Sequence, residues 1–457
     1  MAIKIHHNLT PNSLRKPIER MFELSGAKIH SLQKSWEPLR GTPVFTVKGK
    51  YTSRGWTEWT QGFQFGAALL QYEATGETEF LELGREQTAR HMASHVSHIG
   101  VHDHGFNNIS TYGNLRRLMR AGLIPHNEQE LNFYELALKV SGAVQAARWT
   151  QIANGGGYIY SFNGPHSLFI DTMRSLRSLA VAHQLGHSLM GERDRKISLL
   201  ERLIQHARST AEFGIYYGEG RDAYDIRGRT AHESIFNTND GNYRCPNSQQ
   251  GYSPFSTWTR GLAWAILGFA EQLEFLNMTI PPTNLEPFGG KEQVRKVFLK
   301  AARATADFYI ENSCADGIPM WDTGAPNLHR LGEYLGRTSN PYNDWEPVDS
   351  SAAAIAAQGL MRLGLHLKGA AGLNYLNAGR TILKTLLDEP YLSTNAKHQG
   401  LLLHSVYHRP NGWDYIAKGQ KVPNGESSMW GDYHLREAAL LVLKQARGDG
   451  YLTFFDT

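Results

Sequence analysis

The sequence predicts an all-α fold, an (α/α)6 toroid whose long loops gather on one face. Three observations support this prediction: twelve helical segments, their alternation between apolar and amphipathic character, and the alternation of short with long connections. A helix that is apolar on every side is buried on every side, so six such helices are expected to form an inner ring. The six amphipathic helices are then expected to surround it as an outer ring.

The helices are predicted from the spacing of apolar residues and from their flanking polar segments. They span residues 11–34, 59–73, 76–97, 108–122, 128–150, 171–186, 191–213, 256–276, 289–312, 349–368, 372–388 and 429–447. The segment 194–210 is typical of the amphipathic kind, because its apolar residues share one stripe opposite the charges. The segment 350–365 is typical of the buried kind, since small and apolar residues occupy nearly every position.

The connections place the long loops together. Links from a buried helix to the next exposed helix are mostly short, whereas links from an exposed helix to the next buried one are long: 35–58, 98–107, 151–170, 214–255, 313–348 and 389–428. Because successive helices alternate in direction, all the long links are expected at one end of the toroid. Loops of this length in a compact domain usually carry function. No linker divides the chain, so we predict one domain over residues 1–457.

Composition excludes several classes of protein. The 457 residues carry a net charge of +4 without the dense Lys/Arg clustering of a nucleic-acid-binding face. No apolar run reaches the roughly 20 residues of a membrane span, and the first residues lack a signal-peptide core. Cys245 and Cys314 form neither a disulfide framework nor a CxxC zinc spacing. We therefore predict a cytoplasmic protein, a monomer or small homo-oligomer, with no nucleic-acid or membrane partner.

Asp171 is the most informative residue, because it stands in an otherwise apolar run, 166–183, that has helical spacing. Burying an unpaired polar group costs on the order of 2–7 kcal/mol, and an ion costs more. Such a group is normally paired, protonated or chemically active. The local sequence leaves two interpretations open, an N-cap of the following helix or a functional carboxylate.

Polar and aromatic residues recur where the long loops enter the buried helices, at 54–63, 101–106, 171, 249–264, 345–351 and 427–433. Asp349 is predicted to be an N-cap, and Asp432 to have a similar structural role. Arg260 lies on a predicted buried helix and cannot shed its charge, so it requires a carboxylate from the protein or from a ligand. Aromatic platforms, carboxylates and a buried arginine together suit an acidic sugar.

Metal and nucleophile chemistry are poorly supported. His102 and His104 could chelate a metal, but no HExxH motif and no third ligand at recognisable spacing accompany them. Neither a GxSxG motif nor a P-loop is present. We predict neither a metal nor a cofactor.

Six motifs resemble those of the unsaturated glucuronyl hydrolases, glycoside hydrolase family 88, which are (α/α)6 toroids. In chain order they are WTQGF, HDHGF, FIDTM, STWTRGLAW, DSSAAAIAA and MWGDYHLREAAL, and the resemblance runs from about Trp56 to Glu437. It implies a hydrolase that acts on the 4,5-unsaturated uronic acid which polysaccharide lyases leave at a non-reducing end. Water is added across the vinyl ether, and the resulting hemiketal collapses to release the aglycone.

The resemblance also implies roles for individual residues. Asp171 would donate a proton to C4 and activate the water that attacks C5, while Asp103 would assist. Because a donor must be protonated near neutral pH, we expect apolar surroundings and a second carboxylate to raise the pKa of Asp171. The residues implied in substrate binding are Trp59, His102, Phe162, His232, Gln250, Arg260 and Trp264. Phe162 stands where the family commonly has Trp, Gln249 replaces a His, and the family's sulfate-binding pattern is not clear in 404–414.

Three other functions are compatible with the sequence. An unsaturated rhamnogalacturonyl hydrolase would have the same toroid and hydration chemistry on pectin fragments. A sugar isomerase similar to N-acylglucosamine-2-epimerase would use histidines, with His102, His104 and His232 as candidates. The third alternative is an oligosaccharide-binding protein without catalytic activity. The parent polysaccharide, its sulfation and the aglycone stay open.

Overall fold

The computed structural model describes residues 2–278, 280–450 and 453–455. Its α-helices are α1 (Pro11–Ser35), α2 (Gln61–Thr75), α3 (Thr78–His91), α4 (Ala93–Val96), α5 (His104–Asn107), α6 (Asn114–Arg120), α7 (Glu128–Ala147), α8 (Thr172–Ser175), α9 (Arg177–Gln184), α10 (Leu199–Ser209), α11 (Thr259–Leu276), α12 (Gly290–Glu311), α13 (Ser350–Leu367), α14 (Gly369–Leu386) and α15 (Met429–Arg447). π-Helical turns at Ile109–Gly113 and Thr210–Gly214 adjoin α6 and α10.

The long loops contain short antiparallel strands. They are β1 (Thr42–Val47), β2 (Lys50–Arg54), β3 (Trp149–Gln151), β4 (Gly157–Ile159), β5 (Ser167–Phe169), β6 (Leu189–Met190), β7 (Lys196–Ile197), β8 (Glu233–Phe236) and β9 (Tyr243–Asn247). β1 pairs with β2, β3 with β4 and β6 with β7, while β5, β8 and β9 form a three-stranded sheet in that order. Single 3₁₀ turns lie at Pro38–Arg40, Glu192–Asp194, Pro282–Asn284, Glu286–Phe288 and Leu328–Leu331.

The chain folds as an (α/α)6 toroid, as predicted. The inner ring consists of α2, the α5–α6 segment, the α8–α9 segment, α11, α13 and α15, and each packs against the next around the ring. The outer ring consists of α1, α3, α7, α10, α12 and α14, each packed on an inner helix. The inner helices are buried almost throughout, since small and apolar side chains let their backbones approach closely. No helix in the described ranges combines the length and apolarity that a bilayer crossing requires.

The predicted helix bounds differ from the observed ones in a few places. The helix predicted at 191–213 begins only at Leu199, because the Ser198 hydroxyl caps it by accepting from the Glu201 N–H. The helix predicted at 76–97 ends at His91, and a separate turn, α4, follows. The apolar run before Asp171 forms β5 and not a helix, so Asp171 follows a strand.

Buried charges lie where α8, α9, α11 and α15 meet. Arg174 contacts Glu271 and lies 2.7 Å, Nη2 to Oε2, from Glu437, while the Nη1 atom of Arg177 is 3.8 Å from an oxygen of each carboxylate. All four side chains are buried. Although burial opposes ionisation, Arg174 and Arg177 hold the pKa of Glu437 down to about 2. We refer to Arg174, Arg177, Glu271 and Glu437 as the central ion network.

Candidate active site

A cavity of about 470 Å³ opens where the long loops meet the inner helices. Five of the six predicted long links reach its wall, at residues 54–59, 98–106, 162–171, 249–258 and 407–413. The volume is within the range of small-ligand sites. The prediction that the long loops build one functional face therefore agrees with the structure, except that link 313–348 borders a neighbouring cavity and not this one.

His102 lies between two carboxylates at one end of the cavity. Its Nε2 atom is 3.2 Å from Oδ1 of Asp171 and 3.7 Å from Oδ1 of Asp103. The carbonyl of His102 accepts hydrogen bonds from Gln145 and from Ser175 at 2.8 and 2.7 Å, which fixes this end of the loop. All three titratable side chains are buried yet line the cavity. We refer to Asp103, His102 and Asp171 as the acid triad.

The electrostatics of the acid triad differ from the prediction in one respect. Burial favours the protonated form of Asp171, but the hydrogen bond from His102 and nearby positive charge outweigh it and hold its pKa below the usual value. The predicted rise in the pKa of Asp171 is therefore wrong, because His102 forms a hydrogen bond with this carboxylate. Burial instead raises the pKa of Asp103. Burial opposes protonation of His102, but the two carboxylates prevail and raise its pKa.

Asp171 is held by the backbone around it and does not cap a helix. It follows β5 directly and precedes α8, and its side chain makes no capping hydrogen bond. The N–H of Ile170 donates to the carbonyl of His232 at 3.0 Å, which continues the pairing of β5 with β8. Of the two interpretations that the sequence left open, the N-cap is excluded and the carboxylate is free to face the cavity.

His232 lies behind the cavity wall, buried between the rings of Phe169 and Trp258. Its Nδ1 atom accepts hydrogen bonds from the N–H groups of Gln249 and Gln250, at 2.9 and 3.3 Å. Nε2 therefore carries the proton, and burial lowers the pKa of His232 to about 4. The structure does not bring His232 to the cavity surface, where a substrate-binding residue was predicted. It fixes the loop that presents the two glutamines.

Arg260 lines the cavity and has the protein carboxylate that its burial requires. Its guanidinium is 3.4 Å from Oδ2 of Asp349 and donates to Gln250 Oε1 at 2.8 Å and to the Tyr407 carbonyl at 2.8 Å. The ring of Trp430 lies 4.8 Å from it. Asp349 also caps α13 by accepting from the N–H groups of Ser351 and Ala352, as predicted. Arg260 therefore joins α11, α13 and the 407–413 loop at the cavity floor.

The predicted aromatic residues lie at different depths. Trp59 is half-buried, lines the cavity and stacks on Trp430 with ring centroids 5.0 Å apart. Trp264 is almost wholly buried beside Phe106, so only its edge contributes to the floor. Phe162 is 51% exposed, and its ring lies nearly parallel to that of His102 at 6.1 Å. Trp59 and Phe162 are the two that a bound sugar can contact most fully.

Several cavity residues had no predicted role. Glu58 lies inside the first predicted loop entrance, and burial raises its pKa while Asp103 adds to the effect. Arg54 lies over the rings of Tyr407 and Trp413, at 5.6 and 5.1 Å from their centroids. Because Glu58 directly precedes Trp59, a predicted substrate-binding residue, the sequence could have indicated that Glu58 lines the cavity. The partners of Arg54 lie more than 350 residues away, and no local pattern indicates them.

His104 and Asp432 do not line the cavity. His104 turns away from the cavity, with Nδ1 3.0 Å from the Ser141 hydroxyl and Nε2 2.9 Å from the His98 carbonyl. It therefore cannot join His102 and His232 in an isomerase site. Asp432 is structural, as predicted, but it is no cap: Ser428 caps α15, and Asp432 accepts from the N–H groups of Leu401 and Leu402. The described residues place no group of three or more His, Cys, Asp or Glu side chains for a metal.

Known proteins similar to this chain include unsaturated glucuronyl hydrolases. No family model matches the chain. The chain is 25% identical over 414 residues to an unsaturated glucuronyl hydrolase of Bacillus sp. (strain GL1), covering 88% of this chain and 90% of that protein. It is 24% identical over 391 residues to another from Formosa agariphila, covering 83% and 79%. A solved unsaturated glucuronyl hydrolase described as specific for heparin superposes with a TM-score of 0.72 at 20% identity, covering 97% and 100%.

The chain is similar to unsaturated glucuronyl hydrolases over most of its length. The resemblance predicted from the six motifs is confirmed, and it extends over most of the chain. The solved structure supports the toroid along nearly its whole length.

Proposed function

We propose that the protein is a glycoside hydrolase that acts on oligosaccharides ending in a 4,5-unsaturated uronic acid, by hydration of the vinyl ether double bond. The acid triad at the end of an aromatic-lined cavity carries this proposal, because it places a free carboxylate beside a proton-holding imidazole. The relatives are named unsaturated glucuronyl hydrolases and unsaturated chondroitin disaccharide hydrolases, which supports the same reaction class.

The proton is held by the acid triad before substrate binds. In the free protein, His102 has a raised pKa and Asp171 a lowered one, so the shared proton resides on the imidazole. An arriving uronate adds negative charge beside the triad, which favours protonation of the carboxylates. We propose that the proton then moves from His102 to Asp171 across their 3.2 Å hydrogen bond. Asp103 supplies the charge that keeps the imidazole protonated.

In the proposed reaction Asp171 acts first as an acid and then as a base. Asp171 gives its proton to C4, and the π electrons of the double bond form the new C4–H bond while positive charge develops at C5 and the ring oxygen. Water attacks C5 and returns a proton to the Asp171 carboxylate. The hemiketal then opens: the bond between C5 and the ring oxygen breaks, the C5 hydroxyl loses its proton to leave a ketone, and the ring oxygen gains a proton to become a hydroxyl on C1. The resulting hemiacetal at C1 expels the aglycone.

The remaining cavity residues hold the sugar. Trp59 and Phe162 offer ring faces, and Gln250 with Arg260 offers polar contacts to the uronate, both positioned by neighbouring protein groups. We propose that Trp264 shapes the floor and that His232 positions Gln249 and Gln250 through Nδ1 and does not touch the sugar.

The test is loss of the ultraviolet absorbance of the unsaturated uronate, measured on lyase products of chondroitin, heparin, gellan, ulvan and pectin. The wild-type protein is expected to consume at least one product, and Asp171→Asn to lose about 10³-fold or more in kcat. Asp194→Asn is the matched control, because Asp194 is exposed and does not line the cavity. An Asp171→Asn protein that keeps most of its turnover overturns the mechanism. A preference for pectin products alone would favour the rhamnogalacturonyl reaction.

Two further properties belong to this proposal. One core cluster joins residues from Ile3 to Phe455, which supports the proposal that the whole chain is a single catalytic domain.

Cys245 is exposed and Cys314 buried, and neither forms a disulfide, which supports a cytoplasmic location because exposed thiols persist in reducing compartments. Cell fractionation checks the location.

A further inference from the structure

A second cavity, of about 610 Å³, borders the catalytic one on the same face. Two loop segments separate the cavities, and each contributes to both of them. In the first segment, residues 249–250 line the catalytic cavity and Tyr252 lines the second cavity. In the other segment, residues 407–408 line the catalytic cavity, whereas Arg409 and Pro410 line the second cavity. The loop at 407–414 is fixed, since the buried Asp414 carboxylate accepts from the N–H of His408 at 3.1 Å and from that of Tyr407. The two cavities are therefore neighbours across a defined wall.

Three cationic side chains line the second cavity, and two of them lie beside an indole ring. The guanidinium of Arg330 lies 4.6 Å from the Trp345 ring centroid, and the ammonium of Lys421 lies 5.8 Å from it. Neither Arg330 nor Arg409 has a hydrogen bond or ion pair from its guanidinium to any described residue. Only Lys421 is paired, with Asp344 at 2.9 Å.

Two carboxylates line this cavity, and neither forms an ion pair with the arginines, since Asp344 pairs with Lys421. Glu346 is buried and accepts from the Trp321 indole at 2.9 Å and from the backbone and side-chain amides of Asn327 at 2.9 and 3.0 Å. Its charge is therefore stabilised by neutral donors. Asp414 is a charged neighbour of Arg409, but its carboxylate oxygens accept from the N–H groups of Tyr407 and His408 and form no ion pair with the guanidinium. Both guanidinium groups can therefore bind an external anion, and they suit carboxylate and sulfate oxygens alike.

We propose that this second cavity, which we call the Trp345 site, binds anionic groups on sugars that lie beyond the scissile linkage of a substrate seated in the catalytic cavity. The inference rests on the proposed function and adds the substrate class: polyanionic oligosaccharides longer than a disaccharide. A disaccharide occupies only the catalytic cavity, whereas a tetrasaccharide crosses the wall at residues 407–410 and reaches Arg409 first. Binding there holds the remote end of the chain and raises kcat/KM without entering the chemistry.

The test compares unsaturated di- and tetrasaccharides from lyase digestion of one sulfated polysaccharide that the wild type cleaves. Wild type is expected to show a kcat/KM at least about fivefold higher on the tetrasaccharide, at low ionic strength. Arg330→Gln combined with Arg409→Gln is expected to lower kcat/KM for the tetrasaccharide about tenfold, and for the disaccharide less than about twofold. Arg303→Gln, an exposed arginine on α12 that lines neither cavity, should leave both unchanged.

A desulfated tetrasaccharide distinguishes the two sources of charge. Retention of the tenfold loss assigns uronate carboxylates to the Trp345 site, and disappearance of the loss assigns sulfate esters. An equal fall on both substrate lengths, or no fall on either, overturns the site while leaving the proposed function in place. A wild-type protein that cleaves neither the disaccharide nor the tetrasaccharide of any lyase digest contradicts the proposed function itself.

Discussion

His102 holds a proton between two carboxylates, and this placement governs how activity should vary with pH. Its raised pKa depends on Asp103 as well as on Asp171, despite its burial. The imidazole therefore keeps its proton to a higher pH than it would without the two carboxylates, and we propose that this proton is the one that reaches the sugar. Activity should therefore fall as pH rises through the range in which the acid triad loses that proton.

Asp103→Asn tests this arrangement. Removing the carboxylate charge lowers the pKa of His102, so the triad loses its proton at a lower pH. We expect kcat/KM to fall about 100-fold and the alkaline limb of its pH profile to move to lower pH. The measurement is kcat/KM against pH on the best unsaturated disaccharide.

Asp194→Asn again serves as the control and should keep the wild-type profile. An Asp103→Asn protein that loses activity with an unmoved alkaline limb would show that Asp103 contributes without setting the protonation of His102.

The three-stranded sheet of β5, β8 and β9 positions Asp171 through a buried carboxylate. Glu233 on β8 accepts from the Asn163 amide at 3.0 Å, the Asn247 amide at 2.6 Å and the Ser167 hydroxyl. Asn163 in turn accepts from the Gln249 side chain at 3.1 Å. One side chain thus ties the strand that leads to Asp171 to the loop that presents the glutamines.

Glu233→Gln should weaken this element. The amide cannot accept from all three donors, and one donor left unsatisfied in the interior costs about 1–3 kcal/mol. We expect a lower Tm and a kcat/KM reduced about tenfold, since small displacements of a catalytic group are costly. Thermal unfolding and the absorbance assay measure the two effects.

The control for Glu233→Gln is Glu219→Gln. Glu219 forms an exposed ion pair with Lys300 at 2.6 Å, and such pairs contribute little to stability. A Glu233→Gln protein that unfolds like the control would mean that the sheet is held by its backbone pairing alone.

Sequence patterns predicted the helices of this fold better than its loops. The apolar spacing of α11 and α13 is local, so both could be located to within a few residues from the sequence. β5 has only three residues, and its partner β8 begins 66 positions beyond the first of them, so the same apolar run suggested a helix. Likewise, motifs identified Asp171 and Asp103, but the direction of the Asp171 pKa depends on His102, a neighbour 69 positions away.

At the scale of the molecule, buried histidines make the toroid sensitive to acid. Burial lowers the pKa of His434 on α15 to about 3, as it does for His95 and His206. An unfolded histidine has a pKa of about 6.5. The unfolded chain therefore binds more protons than the folded protein below that pH. The stability that these neutral histidines contribute is fully present above about pH 6.5 and is lost progressively as pH falls toward 3.

His434→Gln should reduce this loss. At pH 5 a single such histidine lowers the free energy of unfolding by about 2 kcal/mol relative to pH 7, and glutamine removes that contribution. Unfolding by urea at pH 7 and pH 5 gives the difference for each protein. His126→Gln, at an exposed position, should keep the wild-type difference. An unchanged difference in His434→Gln would place the acid sensitivity elsewhere.

The central ion network limits how this chain can be divided. Its positive members lie on α8 and α9 and its negative members on α11 and α15, so matching charges come from both halves of the sequence. A fragment that ends before α11 would keep both arginines with neither carboxylate, and an unmatched buried charge typically costs about 3–5 kcal/mol. Split into two separately expressed pieces, the protein should yield insoluble halves that regain structure only when mixed. We expect inserted peptides to be tolerated better in the outer connections, such as 187–198, which contribute no member of the central ion network.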